Sequence, residues 1–129
     1  MDEKQKKLKI LYIEDDHTLA TLYMTRMQAE GYDVRHFPDG ESALQVAREY
    51  HPDLVIVDLM MPSLSGYDVL DNLRSIVELG GTKFVVMSAL SQPEDVEKAK
   101  SLGADDFIVK SQTTIDDVME RIRALVPVR

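Results

Sequence analysis

The sequence predicts an α/β protein of the doubly wound type, a (βα)5 three-layer sandwich built on a parallel sheet. Short apolar runs rich in Val and Ile alternate with longer segments of helical period, and five such βα units follow one another. The chain of 129 residues has the size of one domain, and its 44% hydrophobic residues suffice for a buried core. We therefore expect residues 1–129 to form a single domain with its core at about 8–126.

Five segments are predicted as strands. The first, third and fourth are apolar enough to be covered on both faces, as strands of parallel sheets are. The second is more polar, which indicates a strand at the edge of the sheet. In chain order, the predicted strands are 8–13, 33–37, 54–58, 83–87 and 106–109.

Apolar residues at helical spacing predict the buried faces of four helices, and the fourth of the five helices is poor in large apolar residues. These stripes are Leu19, Leu22, Tyr23 and Met27 in the first; Ala43, Leu44, Ala47 and Tyr50 in the second; Val69, Leu70, Leu73 and Val77 in the third; and Ile115, Val118, Met119, Ile122 and Leu125 in the fifth.

Capping and terminating residues predict where these helices begin and end. Asp16 is expected to cap the first helix, and Thr114 with Asp117 the fifth. The segment Ser91-Gln92-Pro93-Glu94 has the form of a capping box that opens the fourth helix. The expected terminators are Gly31, Pro52, Gly80-Gly81, Gly103 and Pro127.

Composition excludes several classes of function. The 23 acidic residues exceed the 15 basic ones, and a net charge of −8 argues against a surface that binds nucleic acid directly. The chain has no cysteine, so a thiolate zinc site and a cysteine nucleophile are excluded. No apolar run approaches the ~20 residues that span a bilayer. The polar start of the chain lacks the apolar core of a signal peptide. We expect a cytoplasmic protein with no membrane contact.

Charged and hydroxyl side chains follow the predicted strands at their carboxyl ends, where open βα sheets bind ligands. The first strand runs into Glu14-Asp15-Asp16, the third ends at Asp58, the fourth runs into Ser88 and the fifth into Lys110. If the strand order is 2-1-3-4-5, the acidic run and Asp58 converge, and Ser88 and Lys110 flank Asp58 on its other side.

The converging acids predict a site for a divalent cation. Three successive acids exceed what a helix cap requires, and with Asp58 nearby they would repel one another unless a cation neutralised them. The ligands are all oxygen atoms, which suits Mg²⁺ or Mn²⁺. A cation, the Lys110 ammonium and a hydroxyl around one carboxylate would neutralise a phosphoryl group, so an aspartyl phosphate is the natural product. The simpler alternatives are that the acidic run only caps the first helix, that Asp58 is a solvated loop acid, and that Lys110 forms a surface ion pair with it.

Four stretches of sequence match a known family in their order and spacing. They are ILYIEDD at 10–16, DLVIVDLMMP at 53–62 with Gly66 beyond it, VMSA at 86–89 and GADDFIVK at 103–110. From about Leu8 to Val126 the chain resembles the receiver domain of two-component response regulators, in its chemotaxis-regulator-like form. The resemblance implies the flavodoxin-like fold with sheet order 2-1-3-4-5.

The resemblance also implies a function. A sensor histidine kinase or phosphotransfer protein would donate a phosphoryl group to Asp58, and the receiver would catalyse its own phosphorylation, and a slow dephosphorylation, with Mg²⁺. Asp15 would ligate the metal directly, Glu14 through water, Asp58 as both nucleophile and ligand, and the backbone carbonyl of Met60 would complete the set. Lys110 would neutralise the developing charge.

A switch is implied as well. Ser88 matches the hydroxyl that moves to the phosphoryl oxygen, and Phe107 matches the aromatic residue whose ring turns inward with it. The surface of the fourth helix, fifth strand and fifth helix would then regulate a downstream protein or an attached output domain. Homodimerisation through the fourth and fifth helices is a further expectation.

The sequence departs from the family's usual pattern at Ser111 and at Phe107, where tyrosine is also common. Ser111 follows Lys110 where the family usually has a proline in a cis peptide, so the following loop is expected to take a different path. Met60 and Leu90 flank the site and cannot orient a water molecule, which predicts a long-lived phosphoryl state. His17 is expected to face solvent, and His36 and His51 carry no signal of a partner.

Three other functions are considered beside this one. A phosphatase with an aspartate nucleophile usually has a second Asp two residues on, where this chain has Met60. A flavin or nucleotide binder would present glycines and hydroxyls in the first loop instead of acids. The third alternative is a receiver-like protein-binding module that is never phosphorylated. Only the missing proline favours this alternative.

Overall fold

The computed structural model describes residues 7–61, 64–89 and 91–127, and strands and helices alternate along them. The strands are β1 (Lys9–Ile13), β2 (Asp33–Phe37), β3 (Leu54–Val57), β4 (Lys83–Ser88) and β5 (Asp106–Val109). The helices are α1 (His17–Ala29), α2 (Gly40–Tyr50), α3 (Gly66–Arg74), α4 (Pro93–Ser101) and α5 (Ile115–Leu125). Short 3-10 turns at Val77–Leu79 and Lys110–Gln112 follow α3 and β5.

The five strands form one sheet in the order β2-β1-β3-β4-β5, and every neighbouring pair is parallel. The predicted fold class and strand order are therefore confirmed, and β2 lies at an edge as its polarity indicated. Because the strands are parallel, all their carboxyl ends lie at one edge of the sheet.

Successive residues of each strand enter two different hydrophobic cores, one on each face of the sheet. One core packs against α1 and α5 and contains Ile10, Tyr12, Leu54, Ile56, Val85, Met87 and Ile108. The other packs against α2, α3 and α4 and contains Leu11, Ile13, Val55, Val57, Phe84, Val86 and Phe107. This double burial explains why the central strands read as continuous apolar runs.

Strand boundaries differ from the predicted ones by a single residue. β1 begins at Lys9 instead of Leu8, β3 ends at Val57 instead of Asp58, and β4 continues to Ser88. Each difference falls where an apolar run meets a polar side chain. Backbone pairing determines where the strand begins or ends there, and the pattern of side chains does not show it.

Two predicted core residues are wrong. Leu22 is 55% exposed, since α1 buries Ala20, Tyr23 and Met27 along a narrower line. Val77 is 89% exposed. The helix that was expected to carry Val77 ends at Arg74, and the following 3-10 turn buries Leu79 in its place.

Helix capping agrees with the sequence at α1 and α5 but not at α4. The Asp16 carboxylate accepts from the Leu19 N–H, and the Thr114 hydroxyl accepts from the Asp117 N–H. The predicted capping box at α4 is wrong, because Gln92 holds the cap position and makes no side-chain cap bond. Pro93 occupies the first turn, where its lack of an N–H costs nothing, and Ser91 is left one residue too early.

Within the described ranges, no helix combines the length and apolarity that crossing a membrane requires.

Candidate functional site

Asp58 lies directly after β3 and is held by backbone contacts on both sides. Its N–H donates to the Ile13 carbonyl at 3.2 Å, which ties it to the end of β1. Its Oδ1 accepts from the Met60 N–H at 3.1 Å. The residue is only 5% exposed. These contacts fix one carboxylate at the carboxyl edge of the sheet, next to the turn that leads into α3.

Gly66 allows α3 to start against that turn. Its N–H donates to the Leu59 carbonyl at 3.1 Å. A Cβ at this position would lie 2.2 Å from the Asp58 carbonyl oxygen and 2.5 Å from the Leu59 Cα. Backbone atoms cannot yield that much without a shift of the chain, so only glycine fits and the path after Asp58 depends on it.

Lys110 joins two carboxylates. Its Nζ lies 3.0 Å from Asp58 Oδ2 and 2.8 Å from Glu14 Oε1. The contact with Asp58 matches the expected position of Lys110, whereas the contact with Glu14 was not predicted. Glu14 is 1% exposed, so the ammonium lies between two buried acids at the ends of β1 and β3.

Burial and these shared contacts shift the ionisation of Glu14 and of Lys110. Burial raises the pKa of Glu14 from its usual 4.5 to about 7, although the Lys110 hydrogen bond opposes the shift and the Asp58 charge adds to it. Burial alone would lower the pKa of Lys110, but its hydrogen bonds to Glu14 and Asp58 raise that pKa above the usual value. Lys110 therefore stays an ammonium.

The acidic residues fit a hard divalent cation. One carboxylate oxygen from each of Glu14, Asp15 and Asp58 lies within 4.8 Å of the others. Asp15 is exposed and can reach a cation that enters from solvent. Glu14 Oε2 accepts a hydrogen bond from the Asp16 N–H at 3.2 Å. An all-oxygen set that includes carboxylates suits Mg²⁺ or Mn²⁺. Met60 lies at the rim of this group and is 57% exposed.

Ser88 and Phe107 lie on one face of the sheet, the face covered by α2, α3 and α4. Ser88 is fully buried at the end of β4 and follows Phe84 and Val86 on that face. Phe107 is buried on β5 opposite Val86, one step along the same face from Ser88. The structure thus places both residues of the expected switch on the face of the sheet that α4 covers.

The residues after Lys110 follow a short helical path. Ser111 is exposed within the 3-10 turn Lys110–Gln112, and the Thr113 hydroxyl donates to the Val109 carbonyl at 2.9 Å. No cis peptide bond occurs among the described residues. Pro62 and Leu90, which belong to the matched sequence and to the expected surroundings of the site, lie outside the described residues.

One histidine near the site was missed. His36 Nε2 lies 2.7 Å from the backbone carbonyl oxygen of Glu14. The sequence carried no signal of this partner, since a contact between a side chain and the backbone of another strand leaves no trace in a sequence pattern. His17 is exposed as expected, with its ring 6.2 Å from that of His36, and His51 ends α2 in a left-handed conformation.

Comparison with known proteins identifies the family. The model of the response regulator receiver domain matches residues 10–123. The probable transcriptional regulator ycf27 of Porphyridium aerugineum is 42% identical over 105 residues, which are 81% of this chain and 42% of that protein. The DNA-binding response regulator MtrA of Mycolicibacterium paratuberculosis is 36% identical over 116 residues, 90% of this chain and 50% of that protein. This chain thus spans half or less of the length of these curated relatives.

A solved structure agrees at the level of the fold. The chemotaxis protein CheY4 of Vibrio cholerae superposes with a TM-score of 0.88 at 22% identity, over 94% of this chain and 100% of that one. The parallel sheet in the order 2-1-3-4-5, the acids at its carboxyl edge and the match of the family model over 10–123 lead to one conclusion. The chain belongs to the receiver domains of two-component response regulators.

Proposed function

We propose that Asp58 accepts a phosphoryl group from the phosphohistidine of a sensor histidine kinase or phosphotransfer protein. The observation that carries the proposal is the Lys110 ammonium, held 3.0 Å from Asp58 Oδ2 and 2.8 Å from Glu14 Oε1 at the carboxyl edge of the sheet. An ammonium fixed there before any reaction stabilises charge that develops on a transferring phosphoryl group. The donor and receiver would meet in the cytoplasm.

In the transfer, a carboxylate oxygen of Asp58 forms a bond to phosphorus while the bond from phosphorus to the imidazole nitrogen of the donor breaks. The electron pair of that bond stays on the imidazole, which takes up a proton from solvent. The Met60 N–H, 3.1 Å from Asp58 Oδ1, orients the carboxylate. The Lys110 ammonium interacts with the phosphoryl oxygens as negative charge develops on them, and the Ser88 hydroxyl donates to one of them.

The carboxylates of Glu14, Asp15 and Asp58 supply the oxygen ligands for Mg²⁺, with Mn²⁺ as the alternative. We assign direct ligation to Asp15 and Asp58, ligation through water to Glu14, and a backbone carbonyl ligand to Met60. When bound, the cation acts as a Lewis acid that neutralises charge on the phosphoryl oxygens. Asp15, the exposed member, closes the set from the solvent side.

The phosphorylated state acts on partners through Ser88 and Phe107. Both lie on the face covered by α4, so a shift of Ser88 toward the phosphoryl group opens space into which Phe107 moves. The surface of α4, β5 and α5 then regulates a downstream protein or an attached output domain, and can also pair two copies. With its net charge of −8, this domain leaves contact with DNA to other segments of such a regulator.

The first test is the intact mass of the protein after incubation with Mg²⁺ and acetyl phosphate. A single phosphoryl adduct is expected, and it should disappear in Asp58→Asn and in the presence of a chelator. Asp71→Asn is the matched control, because Asp71 is an exposed aspartate on α3 outside the acidic group. Folded protein that forms no adduct would instead support the protein-binding module that works without phosphorylation.

The same experiment gives the lifetime of the adduct. Met60 is exposed beside Asp58 and has no polar group that could hold a water molecule against the acyl phosphate. A long-lived adduct is therefore expected in the purified protein. Loss of the phosphoryl group within seconds would contradict this part of the proposal.

A further inference from the structure

We propose that His36 is a positioning residue for the metal-binding acids. Its imidazole donates a hydrogen bond to the Glu14 backbone carbonyl and so holds Asp15 where it can ligate the cation. The inference rests on the proposed Mg²⁺ site and adds a residue of β2 to it.

The Glu14 backbone lies one step beyond the end of β1, where the pairing with β2 stops. Its N–H still donates to the Phe37 carbonyl at 3.1 Å, and Phe37 is the last residue of β2. Among the described residues, no backbone N–H donates to the Glu14 carbonyl. A strand-end carbonyl in this position needs a donor from elsewhere. His36 Nε2, at 2.7 Å, supplies it.

The direction of this hydrogen bond follows from its partner. A carbonyl oxygen only accepts, so Nε2 carries the hydrogen, and a neutral ring leaves Nδ1 as the unprotonated nitrogen. The ring of Tyr12, the register partner of His36 on β1, lies 5.6 Å from this half-buried ring and restricts its movement.

Both backbone groups of Glu14 are thus tied to β2, and the next residues are tied to Glu14. The Asp16 N–H donates to Glu14 Oε2 at 3.2 Å, and the Asp16 carboxylate caps α1. Asp15 lies between these two fixed residues, with its side chain exposed. Groups that orient metal ligands in this way contribute to affinity because the site is formed before the cation arrives.

The test is a Mg²⁺ titration of the ¹⁵N-labelled protein followed by the amide shifts of Asp15 and Asp16, with no phosphodonor present. His36→Phe keeps a ring and removes the donor, and it should raise the Mg²⁺ concentration for half-saturation about tenfold or more, as removal of an outer-shell partner does. His36→Gln retains an amide donor and should recover most of the affinity. His17→Phe makes the same exchange next to the site without losing a hydrogen bond, and should resemble the wild type.

A second readout needs no metal. A long-range ¹H–¹⁵N spectrum of the metal-free protein should show a hydrogen on His36 Nε2. If His36→Phe does not fold, His36→Met serves as the variant without a donor. The Nδ1–H tautomer, or unchanged Mg²⁺ affinity in a folded variant without the donor, overturns the inference.

The two proposals fail in different ways. If the amide shifts of Asp15 and Asp16 in the wild type do not change with Mg²⁺, the proposed metal site is overturned, and this inference with it. A wild-type response that His36→Phe or His36→Met leaves unchanged overturns the role of His36 alone.

Discussion

Glu14 and Asp58 are two nearly buried carboxylates that share the ammonium of Lys110. Removing one partner of a buried ion pair leaves the other charge unpaired in a poorly solvated place, and this is costly. Here the removal of one lysine would leave two such charges next to each other. Lys110 is therefore a structural residue of the metal-free protein as well as a residue of the proposed reaction.

Replacement of this lysine should be visible without any phosphorylation. For Lys110→Met we expect the free energy of unfolding of the metal-free protein at pH 8 to fall by about 3 kcal/mol, the cost typical of a broken buried pair. Mg²⁺ should restore part of the loss. Chemical denaturation with and without Mg²⁺ measures both effects. Lys100→Met is the control, since Lys100 is exposed on α4 and forms no ion pair with the described residues. An equal loss there would contradict the explanation.

The raised pKa of Glu14 has a consequence for stability in the absence of metal. A carboxyl whose pKa is about 7 in the folded protein and 4.5 without the fold binds its proton more tightly when folded. Its contribution to stability is thus complete below pH 4.5 and is lost as the pH rises through 7.

We expect the free energy of unfolding of the metal-free protein to fall across this window by on the order of 2 kcal/mol, and Glu14→Gln to remove most of the fall. Denaturation in a chelator at several pH values is the measurement. Glu120→Gln, at an exposed position on α5, should retain the wild-type profile. If the free energy of unfolding of the wild type rises between pH 5 and 7 and Glu14→Gln abolishes the rise, the sign of the effect is wrong.

At the scale of the elements, the start of α3 packs tightly against the backbone of Asp58 and Leu59. Gly66→Ala would place a Cβ 2.2 Å from the Asp58 carbonyl oxygen, so either α3 or the turn after β3 must move. We expect a loss of about 2 kcal/mol or more in stability, within the range for an overpacked position. Formation of the phosphoryl adduct should slow as well.

Gly81→Ala provides the matched control. A Cβ at Gly81 would meet nothing within 4 Å. The substitution should leave stability and adduct formation close to those of the wild type. Equal effects of the two substitutions would mean that loss of glycine flexibility, and not the contact with Asp58, is responsible.

The helix α4 is weakly attached to the core and is held by a polar contact from α3. Ala99 is its one buried residue among those described, and its N-terminus has no side-chain cap. The Tyr67 hydroxyl donates to Asp95 Oδ1 at 2.8 Å, and the Lys98 ammonium lies 4.3 Å from the centre of the Tyr67 ring. Burial and this hydrogen bond raise the pKa of Tyr67 to about 12, so the hydroxyl keeps its proton.

Removal of that hydroxyl should loosen α4 selectively. In Tyr67→Phe we expect faster hydrogen exchange of the α4 amides, because the helix has few buried apolar contacts to replace the lost bond. Exchange in α5 should be unchanged. Hydrogen exchange read out by mass spectrometry distinguishes the two helices. Tyr32→Phe removes the hydrogen bond to the Val126 carbonyl at the end of α5. It is expected to speed exchange in α5 and to leave exchange in α4 unchanged.

At this scale the sequence predicts buried strands and long amphipathic helices well. The hydrophobic period identifies β3 and α5 because packing decides both. It fails at Val77, because α3 ends at Arg74 and the following 3-10 turn buries Leu79 instead. The capping motif fails at Ser91, which lies one residue before the cap position. The acids of the site were predictable because they follow strands, whereas the Lys110 contact with Glu14 and the His36 contact depend on how far side chains reach across the sheet.

In the whole molecule, α1 and α5 are joined by charges as well as by their shared core. Arg26 lies 2.8 Å from Asp116, Arg123 lies 2.6 Å from Glu30, and the buried Tyr32 hydroxyl donates to the Val126 carbonyl at 2.8 Å. The pairs themselves are partly exposed and contribute little. The Arg26 pair lies at the first turn of α5, whereas the Arg123 pair and the buried Tyr32 hydrogen bond lie at its end, near the start of β2.

A single domain in which one sheet supports both cores should unfold as one unit. We expect thermal unfolding curves from far-ultraviolet circular dichroism and from tyrosine fluorescence to coincide, because both cores share the same five strands. Tyrosines lie in both cores, so the fluorescence reports on each face. Two separated transitions would contradict the expectation of one domain for residues 1–129.

The end of α5 determines where any following polypeptide would start. Leu125, Val126 and Pro127 line a shallow cavity with Leu8, Asp53 and Lys83, at the edge where the strands begin. The carboxylates lie at the other edge, roughly 16 Å away along five residues of strand. A module that followed this point would therefore meet the edge where the strands begin and not the proposed phosphorylation site. Any effect of the proposed phosphorylation on such a module would have to pass through the surface of α4, β5 and α5.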